Sequence, residues 1–552
     1  MALSFSLGQK IQSARVRLAH AKVTTLLVLV VLLALGLRLW GLDFGLPYVY
    51  DPDEDDFIRP ALLMLAERSP NPGYFQHPGS TTIYMLSVTY ALIFGVGFVL
   101  GVFDSPEMFE NMLNQDPSLV FLAGRLEVAL FGVATVVCVY FIGRRLANPY
   151  VGLLAALGTA ISPLHVWISH LIRTDVMMGF FVLVTVWFCL RITETSSWRH
   201  SVLAGIFAGL AVVTKYPAVV VVLTIVTAHL LSPGNGRNRF VRLVESGVAT
   251  VVAAFVASPF LFLDWQETLR DVSIEMRSEH VSSTGEGFLR NLFWYISEPM
   301  ANDFTVIGLV IIAFGLATCL TFRNPRKLLV CVFPLALLLF ISNLGLRHMR
   351  WLVPLVPFAA LFFAFGVQQI VTQLARQPRP RTVITLGAVV PALVVAAIAY
   401  NVALQGIALA GTHTRTLARE WMLANIPEGS RILVEAYTPQ LPKDYYAFYH
   451  VVEKRVERHD PDVTRGDTFR PGGVIGFLEN RDELSEYCIE YFVIGWFYER
   501  YGQEKESYPE VMVGYEQVIE IGDLVFEVQP NPRQPNGFPV RIYQLDGCNQ
   551  EL

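Results

Sequence analysis

Long apolar runs constrain the fold of this chain more than any other feature. Eleven of them approach the ~20 residues that an α-helix needs to cross a bilayer. Only 16% of the 552 residues are charged, whereas soluble proteins average about 25%. The chain is therefore predicted to be a polytopic α-helical membrane protein. The eleven predicted spans are Val23–Trp40, Val120–Ile142, Val151–His170, Val176–Leu190, Ser201–Thr214, Pro217–Leu231, Val244–Leu263, Val306–Phe322, Leu328–Leu344, Trp351–Val371 and Val383–Leu404.

Basic residues between these spans predict the orientation of the chain. Lys and Arg collect in cytoplasmic loops, and with eleven spans every cluster falls on the N-terminal side of the membrane. We therefore expect a cytoplasmic N-terminus and an extracytoplasmic C-terminal region. The clusters are Lys10 to Lys22, Arg144-Arg145, Arg191 with Arg199, Arg237 to Arg242, Arg323 to Lys327 and Arg376 to Arg381.

The same count decides how three further segments are interpreted. Thr81–Gly101 is long enough to span, but a span there would move every later cluster outside, so it is predicted to lie in the interface or to re-enter. Ser201–Leu231 is predicted to form two short spans that turn near Lys215. The first span is predicted to be an uncleaved signal anchor, because its apolar run is longer than a signal-peptide core and no small-x-small site follows.

Composition divides the chain into two predicted domains. Residues 1–410 form the transmembrane domain, in which residues 41–119 are the first outer loop. Residues 411–552 regain charge, Pro and Gly and are predicted to form a soluble α/β domain of normal size. Its predicted elements are a helix over Arg415–Asn425 and strands over Ile432–Ala436, Tyr491–Phe497, Leu524–Val528 and Val540–Leu545.

Two other compositional features limit the possible partners and cross-links. The net charge of −5 gives no reason to expect a nucleic-acid partner. Cys488 and Cys548 both lie in the outer domain, where an oxidising environment allows a disulfide, but spacing alone leaves their pairing open.

An acidic stretch follows the first span directly. It places Asp51, Asp53, Glu54, Asp55 and Asp56 within six positions. Carboxylates this close repel one another and require water, a cation or hydrogen-bond donors. Taken alone, the stretch fits equally a solvated acidic loop and a membrane-surface site in which one carboxylate is a general base.

Further polar residues are predicted at the outer ends of the other spans. Charges at membrane depth are costly unless they are paired or functional. Interfacial snorkelling and structural ion pairs explain any single one of them, but the whole set on one face, around a carboxylate cluster, favours a site. The set is His77, Arg173, Asp175, Lys215, His280, Arg347, His348 and Arg350.

An outward-facing site of this kind has no access to cytoplasmic sugar nucleotides, so an activated donor must arrive on a lipid. A polyprenyl-phosphate sugar fits these residues. The acceptor hydroxyl requires a general base such as Asp53, and the departing lipid phosphate requires Lys, Arg or His to stabilise its charge.

Several motifs carry a resemblance to a known family. In chain order they are Pro52-Asp53-Glu54, His77-Pro78, Gly143-Arg144-Arg145-Leu146, Arg173-Thr174-Asp175, Gly209 to Lys215 and Arg350 to Pro357. Their succession over residues 23 to about 370 resembles the lipid-carrier-dependent glycosyltransferases of the GT-C fold, the protein O-mannosyltransferase and aminoarabinose-transferase superfamily (glycosyltransferase family 39-like). The outer segment from Leu417 to Ser430 resembles the outer domain of bacterial members.

The resemblance implies roles for individual residues. Asp53 matches the acidic residue proposed as catalytic base, and Asp175 matches the second acidic position, with Glu54 beside them as a positioning group. The resemblance implies that His77 lies near the lipid phosphate and that Arg350 occupies the basic position before the Pro-rich span. Together with Arg173, Lys215 and Arg347 they are the predicted residues for binding the lipid phosphate or the donor. Gly79 replaces the second Pro of the usual pair, and the surplus of carboxylates leaves open which one acts.

The partners and location follow from the same resemblance. The expected partners are a polyprenyl-phosphate sugar, membrane lipid, and an acceptor hydroxyl on a protein, lipid or glycan. The expected location of the protein is the bacterial inner membrane. No cofactor is expected; the residues form no clean metal-ligand set, although the acidic cluster leaves a divalent cation open. Two alternatives are a transporter or flippase of a lipid-linked sugar or small solute, and a non-catalytic envelope subunit. Transporters usually carry charges at the midplane and inverted repeats, neither of which is evident here.

Overall fold

The apolar runs of the sequence fold into the helices of a bundle. The computed structural model describes residues 2–76, 79–275, 283–321, 324–376, 381–461, 468–469, 472–531 and 536–546. The helices before the outer domain are α1 (Ala2–Leu39), α2 (Asp55–Ala66), α3 (Ser80–Val99), α4 (Pro106–Gln115), α5 (Ser118–Leu146), α6 (Pro149–Ile161), α7 (Pro163–Ile168), α8 (Thr174–Thr195), α9 (Trp198–Thr214), α10 (Val221–Leu230), α11 (Gly236–Ala257), α12 (Phe260–Leu263), α13 (Trp265–Glu275), α14 (Phe288–Tyr295), α15 (Ala301–Phe304), α16 (Val306–Leu320), α17 (Pro325–Ser342), α18 (Val356–Ala375) and α19 (Arg381–Leu409).

Helix length and composition support an integral membrane protein. Within the described residues, eight helices are long and apolar enough to cross a bilayer, and a ninth arises if the pair Phe288–Phe304 and Val306–Leu320, bent by 108°, is one span. Three shorter apolar helices cover Pro149–Ile161, Trp198–Thr214 and Tyr216–Leu230. Each predicted span overlaps one of these segments, and the number of eleven crossings stays a prediction.

Helix α3 covers most of the segment that was predicted to lie in the interface. It is long enough to span, but it contacts the ends of other helices. Its Thr82 hydroxyl lies 3.7 Å from Met177 Sδ near the start of α8, and Tyr90 donates to the Val120 carbonyl at the start of α5 over 3.2 Å. Val88 and Val256, near the end of α11, line one cavity. Helix α3 therefore contacts the ends of α5, α8 and α11, and its position in the interface stays a prediction.

Helices α9 and α11 pack with almost no space between their backbones. A Cβ added at Gly205 would lie 2.2 Å from the Ser246 carbonyl oxygen, and one at Gly209 would lie 2.4 Å from that of Thr250. Small residues allow such close approach in membranes, where tight packing replaces the hydrophobic effect as the force between helices.

The strands and helices of the C-terminal domain follow the bundle. Its extracytoplasmic position stays a prediction, and the name outer domain denotes residues 411–552. The helices are α20 (Thr414–Asn425), α21 (Asp482–Glu486), α22 (Trp496–Gln503) and α23 (Pro509–Glu520). The strands are β1 (Arg431–Val434), β2 (Leu441–Pro442), β3 (Ala447–Val452), β4 (Arg455–Arg458), β5 (Thr468–Phe469), β6 (Tyr491–Ile494), β7 (Asp523–Val528) and β8 (Val540–Gln544). The predicted α/β domain and its four predicted strands are present. Cys488 is disulfide-bonded, and Cys548 lies outside the described residues.

The six-stranded sheet has the order β4-β3-β1-β6-β8-β7. Strand β1 lies near its centre and pairs in parallel with β3 on one side and β6 on the other. The remaining neighbours pair antiparallel. The chain leaves β1 toward one side of the sheet and later returns to the other side, so the strand order reverses at β1 and β6.

Glu435 is a buried carboxyl directly after β1. It accepts a hydrogen bond from the Gly495 N–H over 2.6 Å and another from the Tyr515 hydroxyl. Burial raises its pKa from 4.5 to about 7, although these hydrogen bonds oppose the shift. The carboxyl therefore ties the end of β1 to the end of β6 and to α23.

We predict opposite effects from alanine at two glycines of the α9–α11 pair. Gly209→Ala forces a backbone shift, because its Cβ would overlap the Thr250 carbonyl, and should lower the midpoint of thermal unfolding in detergent. Gly247→Ala on α11 meets no atom within 4 Å and should leave that midpoint unchanged or raise it through helix propensity. Equal effects of the two changes would contradict the close packing.

We also predict a pH-dependent contribution of Glu435 to stability. The pKa of Glu435 in the folded state, about 7, lies above its value in the unfolded chain. Between these two pKa values the folded chain therefore binds more protons than the unfolded chain, and the free energy of unfolding falls as pH rises through this window. Thermal unfolding of the full chain should therefore show wild type losing stability relative to Glu435→Gln between pH 5 and pH 8. Glu420→Gln, at an exposed position of α20, is the control and should follow wild type at each pH.

Candidate active site

A short turn after the first span separates the clustered carboxylates. Residues Pro52–Glu54 form a 3-10 turn, and the Asp51 side chain caps it by accepting the Asp53 N–H over 3.1 Å. Helix α2 begins directly after it at Asp55. The turn points Asp51 and Asp53 toward one set of cations and Glu54 toward another, so neighbouring carboxylates have different environments.

Asp51 and Asp53 lie against two arginines from distant parts of the chain. Arg173 precedes α8 in extended conformation. Its Nη2 donates to both oxygens of Asp51, at 2.7 and 2.8 Å, and its Nη1 donates to Asp53. Arg350, in the 3-10 turn Met349–Leu355, donates to the same oxygen of Asp53 over 2.7 Å. The Asp53 side chain is 29% exposed, so the cluster remains accessible.

Each of the two arginines has one N–H group without a hydrogen-bond partner among the described residues. Among the described residues, the buried Nε atoms of Arg173 and Arg350 have no hydrogen-bond partner. Buried donors are nearly always satisfied in folded proteins, and the planar guanidinium fork suits phosphate oxygens as well as carboxylates. An anion placed beside Asp53 would therefore meet two guanidinium groups whose chemistry suits phosphate.

Glu54 belongs to a separate, fully buried ion pair. Its two oxygens accept from Arg125 Nε at 2.9 Å and Nη2 at 2.7 Å, and both side chains are 0% exposed. The Ile172 N–H donates to Glu54 over 3.1 Å, one residue before Arg173. Arg125 also donates to the carbonyls of Leu42 and Phe44 at 2.9 Å. The pair joins the acidic turn to α5 and to the segment before α8.

Arg125 was missed by sequence reasoning, although a signal was available. It is a single arginine inside the apolar run predicted as the second span. Ionisable residues in such runs usually face a partner or a functional cavity. That rule would have singled out Arg125 without identifying Glu54 as its partner.

The remaining predicted site residues fall into three groups. Asp175 and Lys215 form a separate ion pair at 2.5 Å, with Asp175 2% exposed. Arg347 pairs with Glu286 at 2.7 Å and lies over the Trp294 ring; among the described residues no ion pair joins it to Asp51 or Asp53. His77 and His280 lie outside the described residues, so their predicted positions are not tested.

The outer domain packs directly on the chain that leads into the acidic turn. Arg415, in α20, donates to the Tyr50 carbonyl over 2.9 Å and lies 3.9 Å from the Tyr50 ring centroid. The Gln440 side chain donates to the Val49 carbonyl over 2.6 Å. The segment that follows β1 is therefore held beside Asp51.

Within the described part of the chain, no group of three or more His, Cys, Asp or Glu side chains is arranged to hold a metal ion. Among the described residues, the cations paired with Asp51, Asp53 and Glu54 include the arginines described above.

Comparison with known proteins identifies the architecture. Residues 119–263 match the family model described as dolichyl-phosphate-mannose-protein mannosyltransferase. ArnT from Cupriavidus metallidurans in the apo state superimposes with a TM-score of 0.52 at 15% identity, covering 95% of this chain and 98% of that one. The same protein bound to undecaprenyl phosphate gives a TM-score of 0.50 at 15% identity, covering 93% and 97%. No curated protein sequence matches significantly.

These comparisons confirm the resemblance that the motifs indicated. The chain is a helical membrane protein with a GT-C bundle and a C-terminal sheet domain. At 15% identity the likeness to the solved structures establishes the fold, and the matched family segment contains Arg125, Arg173, Asp175 and Lys215.

We predict that the buried Glu54–Arg125 pair stabilises the fold only as a pair. Removing one partner leaves an uncompensated buried charge, which typically costs about 3–5 kcal/mol, so Glu54→Gln and Arg125→Gln should each lower the thermal midpoint strongly. The double variant should lose less than the sum of the two single losses. Asp43→Asn, at an exposed position before the turn, is the control. Additive losses would show that the two side chains act independently.

Proposed function

We propose that this chain is a membrane glycosyltransferase, because it has the GT-C fold and its residues 119–263 match the mannosyltransferase family model. It moves a sugar from a polyprenyl-phosphate donor to an acceptor hydroxyl on the extracytoplasmic face. The description of the family model names dolichyl-phosphate mannose, and the structure of ArnT has been determined with bound undecaprenyl phosphate. Both descriptions support a lipid-phosphate carrier for this chain.

One observation supports this function most strongly. Asp53 lies between Arg173 and Arg350, and both arginines have a buried Nε without a partner among the described residues. A carboxylate next to guanidinium donors combines a proton acceptor with an anion-binding group, which is what transfer from a phosphate leaving group requires.

The reaction that fits this arrangement is a single displacement. The acceptor oxygen attacks the anomeric carbon of the donor and transfers its proton to Asp53. The bond between the anomeric carbon and the phosphate oxygen breaks, polyprenyl phosphate leaves with the bonding electrons, and the anomeric configuration inverts. Arg350 and Arg173 stabilise the charge that develops on the phosphate, and preorganised donors of this kind commonly supply the largest part of catalysis.

The ion pairs of Asp53 are compatible with its role as base. Without ligand, Asp53 accepts hydrogen bonds from both guanidinium groups. When the lipid-linked sugar binds, its phosphate oxygens compete for those N–H groups, so the ion pairs to Asp53 become weaker. Catalytic hydrogen bonds are often rearranged between the free enzyme and its substrate complex. Asp51, whose two oxygens both accept from Nη2 of Arg173, keeps that arginine oriented during the exchange.

The other predicted residues act around this centre. Glu54 holds the acidic turn through Arg125, and Asp175 positions Lys215 at the outer end of α9. His77 and Arg347 are proposed as further cations for the carrier phosphate. The acceptor is a hydroxyl on a protein, lipid or glycan. The protein lies in the bacterial inner membrane, with its N-terminus in the cytoplasm and the outer domain outside.

The test is donor turnover by the purified full chain in lipid nanodiscs. A panel of polyprenyl-phosphate sugars is supplied, and release of polyprenyl phosphate is measured with and without acceptors, for wild type and Asp53→Asn. General-base catalysis typically contributes about 10²–10⁴-fold, so the variant should lose activity by that order. Donor binding should persist, because Arg173 and Arg350 remain.

Asp104→Asn, at an exposed position of the same loop, is the matched control and should keep full turnover. Turnover by Asp53→Asn at the wild-type rate would remove Asp53 as the base. If a donor binds, is never cleaved and crosses the bilayer of a reconstituted vesicle, the protein is a transporter instead.

A further inference from the structure

The carboxyl ends of β1 and β6 form an edge of the outer domain at which ligands commonly bind in open α/β sheets. Such ligands bind outside the carboxyl ends of parallel strands, at the point where the strand order reverses. In this sheet that point lies between β1 and β6, which are parallel neighbours. The residues that follow the two strands are Glu435 to Tyr437 and Gly495 to Phe497.

This edge of the sheet faces the acidic turn of the bundle. Three residues after Tyr437, the Gln440 amide donates to the Val49 carbonyl over 2.6 Å. Burial, and then the charges of Asp53 and Asp51, raise the pKa of the Tyr437 phenol. The phenol is therefore within electrostatic range of both carboxylates, and the two halves of the molecule meet at one site.

Three aromatic side chains lie at this edge of the sheet. The Tyr437 ring centroid lies 4.9 Å from that of Trp496 and 5.5 Å from that of Phe497. All three side chains are only half-buried. The Arg500 guanidinium lies 5.2 Å from the Trp496 ring centroid and braces it. Tyr437 is thus supported by a packed aromatic group and remains partly exposed beside charged residues.

The backbone holds Tyr437 in an unusual conformation. Its φ is +67°, in the left-handed region, which is a genuine outlier for a bulky residue. Conformations of this kind persist only where the surroundings over-determine them, and they cluster at functional sites. Glu435 supplies part of that constraint, because it binds the Gly495 N–H just before Trp496.

We propose that Tyr437, backed by Trp496 and Phe497, forms a stacking surface for a sugar ring at the interface of the outer domain and the acidic turn. Aromatic rings offer large apolar faces with a polar edge, which matches a sugar's CH face and hydroxyl rim. Carboxylates and guanidinium groups beside the rings supply hydrogen bonds to hydroxyls. This inference rests on the proposed function, and the ring belongs to the lipid-linked donor or to a glycan acceptor.

The test compares ligands with and without a sugar on the full chain in nanodiscs. The probes are undecaprenyl-phosphate mannose, undecaprenyl phosphate and a panel of soluble oligosaccharides. Wild type should bind the sugar-bearing lipid more tightly than undecaprenyl phosphate, or bind an oligosaccharide. Tyr437→Ala should weaken that binding by about three- to tenfold and leave undecaprenyl phosphate affinity unchanged, and Trp496→Ala should act in the same direction.

Two further variants separate stacking from general damage. Tyr437→Phe retains the ring and should keep most of the affinity for the sugar, so a loss equal to that of Tyr437→Ala would overturn stacking. Phe477→Ala, at a residue that is 43% exposed elsewhere on the outer domain, should behave as wild type. The thermal midpoint of each variant reports whether the outer domain is folded.

The pattern of losses identifies the source of the sugar. A reduced preference for the sugar-bearing lipid assigns the surface to the donor, and reduced oligosaccharide binding alone assigns it to the acceptor. The proposal is overturned if Tyr437→Ala changes neither, or if wild type binds no sugar. Sugar binding that depends on Tyr437, without turnover of any donor, would retain the surface and reject the transferase function.

Discussion

The structure depends on the cost of placing charges away from water. Glu54 and Arg125 are both fully buried, and either one alone would be strongly unfavourable at that depth. As a pair they join the turn after the first span to α5, while the Ile172 N–H brings in the start of α8. This interaction determines where the acidic turn lies in the bundle and therefore where Asp51 and Asp53 point.

From that position the exposed carboxylates meet cations from two other places in the chain. Arg173 and Arg350 are 177 residues apart in numbering, yet both reach Asp53. The two acidic residues in the 3-10 turn thus have distinct environments: Glu54 is buried in the scaffold, and Asp53 stays partly exposed. The outer domain completes the arrangement by packing Arg415 and Gln440 on Tyr50 and Val49.

Sequence reasoning identified the components of the candidate site better than their partners. Asp53, Arg173 and Arg350 were predicted to share a site, and the structure brings them together. Arg125 was missed because a lone arginine in an apolar run does not reveal which distant carboxylate it meets. Arg347 was grouped with Arg350 because they are close in sequence, but it pairs with Glu286. Tyr437 carried no motif, and only the packing of the outer domain places it near the acidic turn.

The apolar runs, the positions of basic clusters and the ordered motifs determined the membrane class, the GT-C bundle and the presence of a separate outer domain. These properties depend on local composition and period, because each helix must satisfy its backbone within its own segment. Tertiary structure alone decided the ion-pair partners, the contacts of α3 with the ends of other helices and the contact between the outer domain and the acidic turn. Those features depend on contacts between residues far apart in the chain, whose energies arise only once the helices have packed.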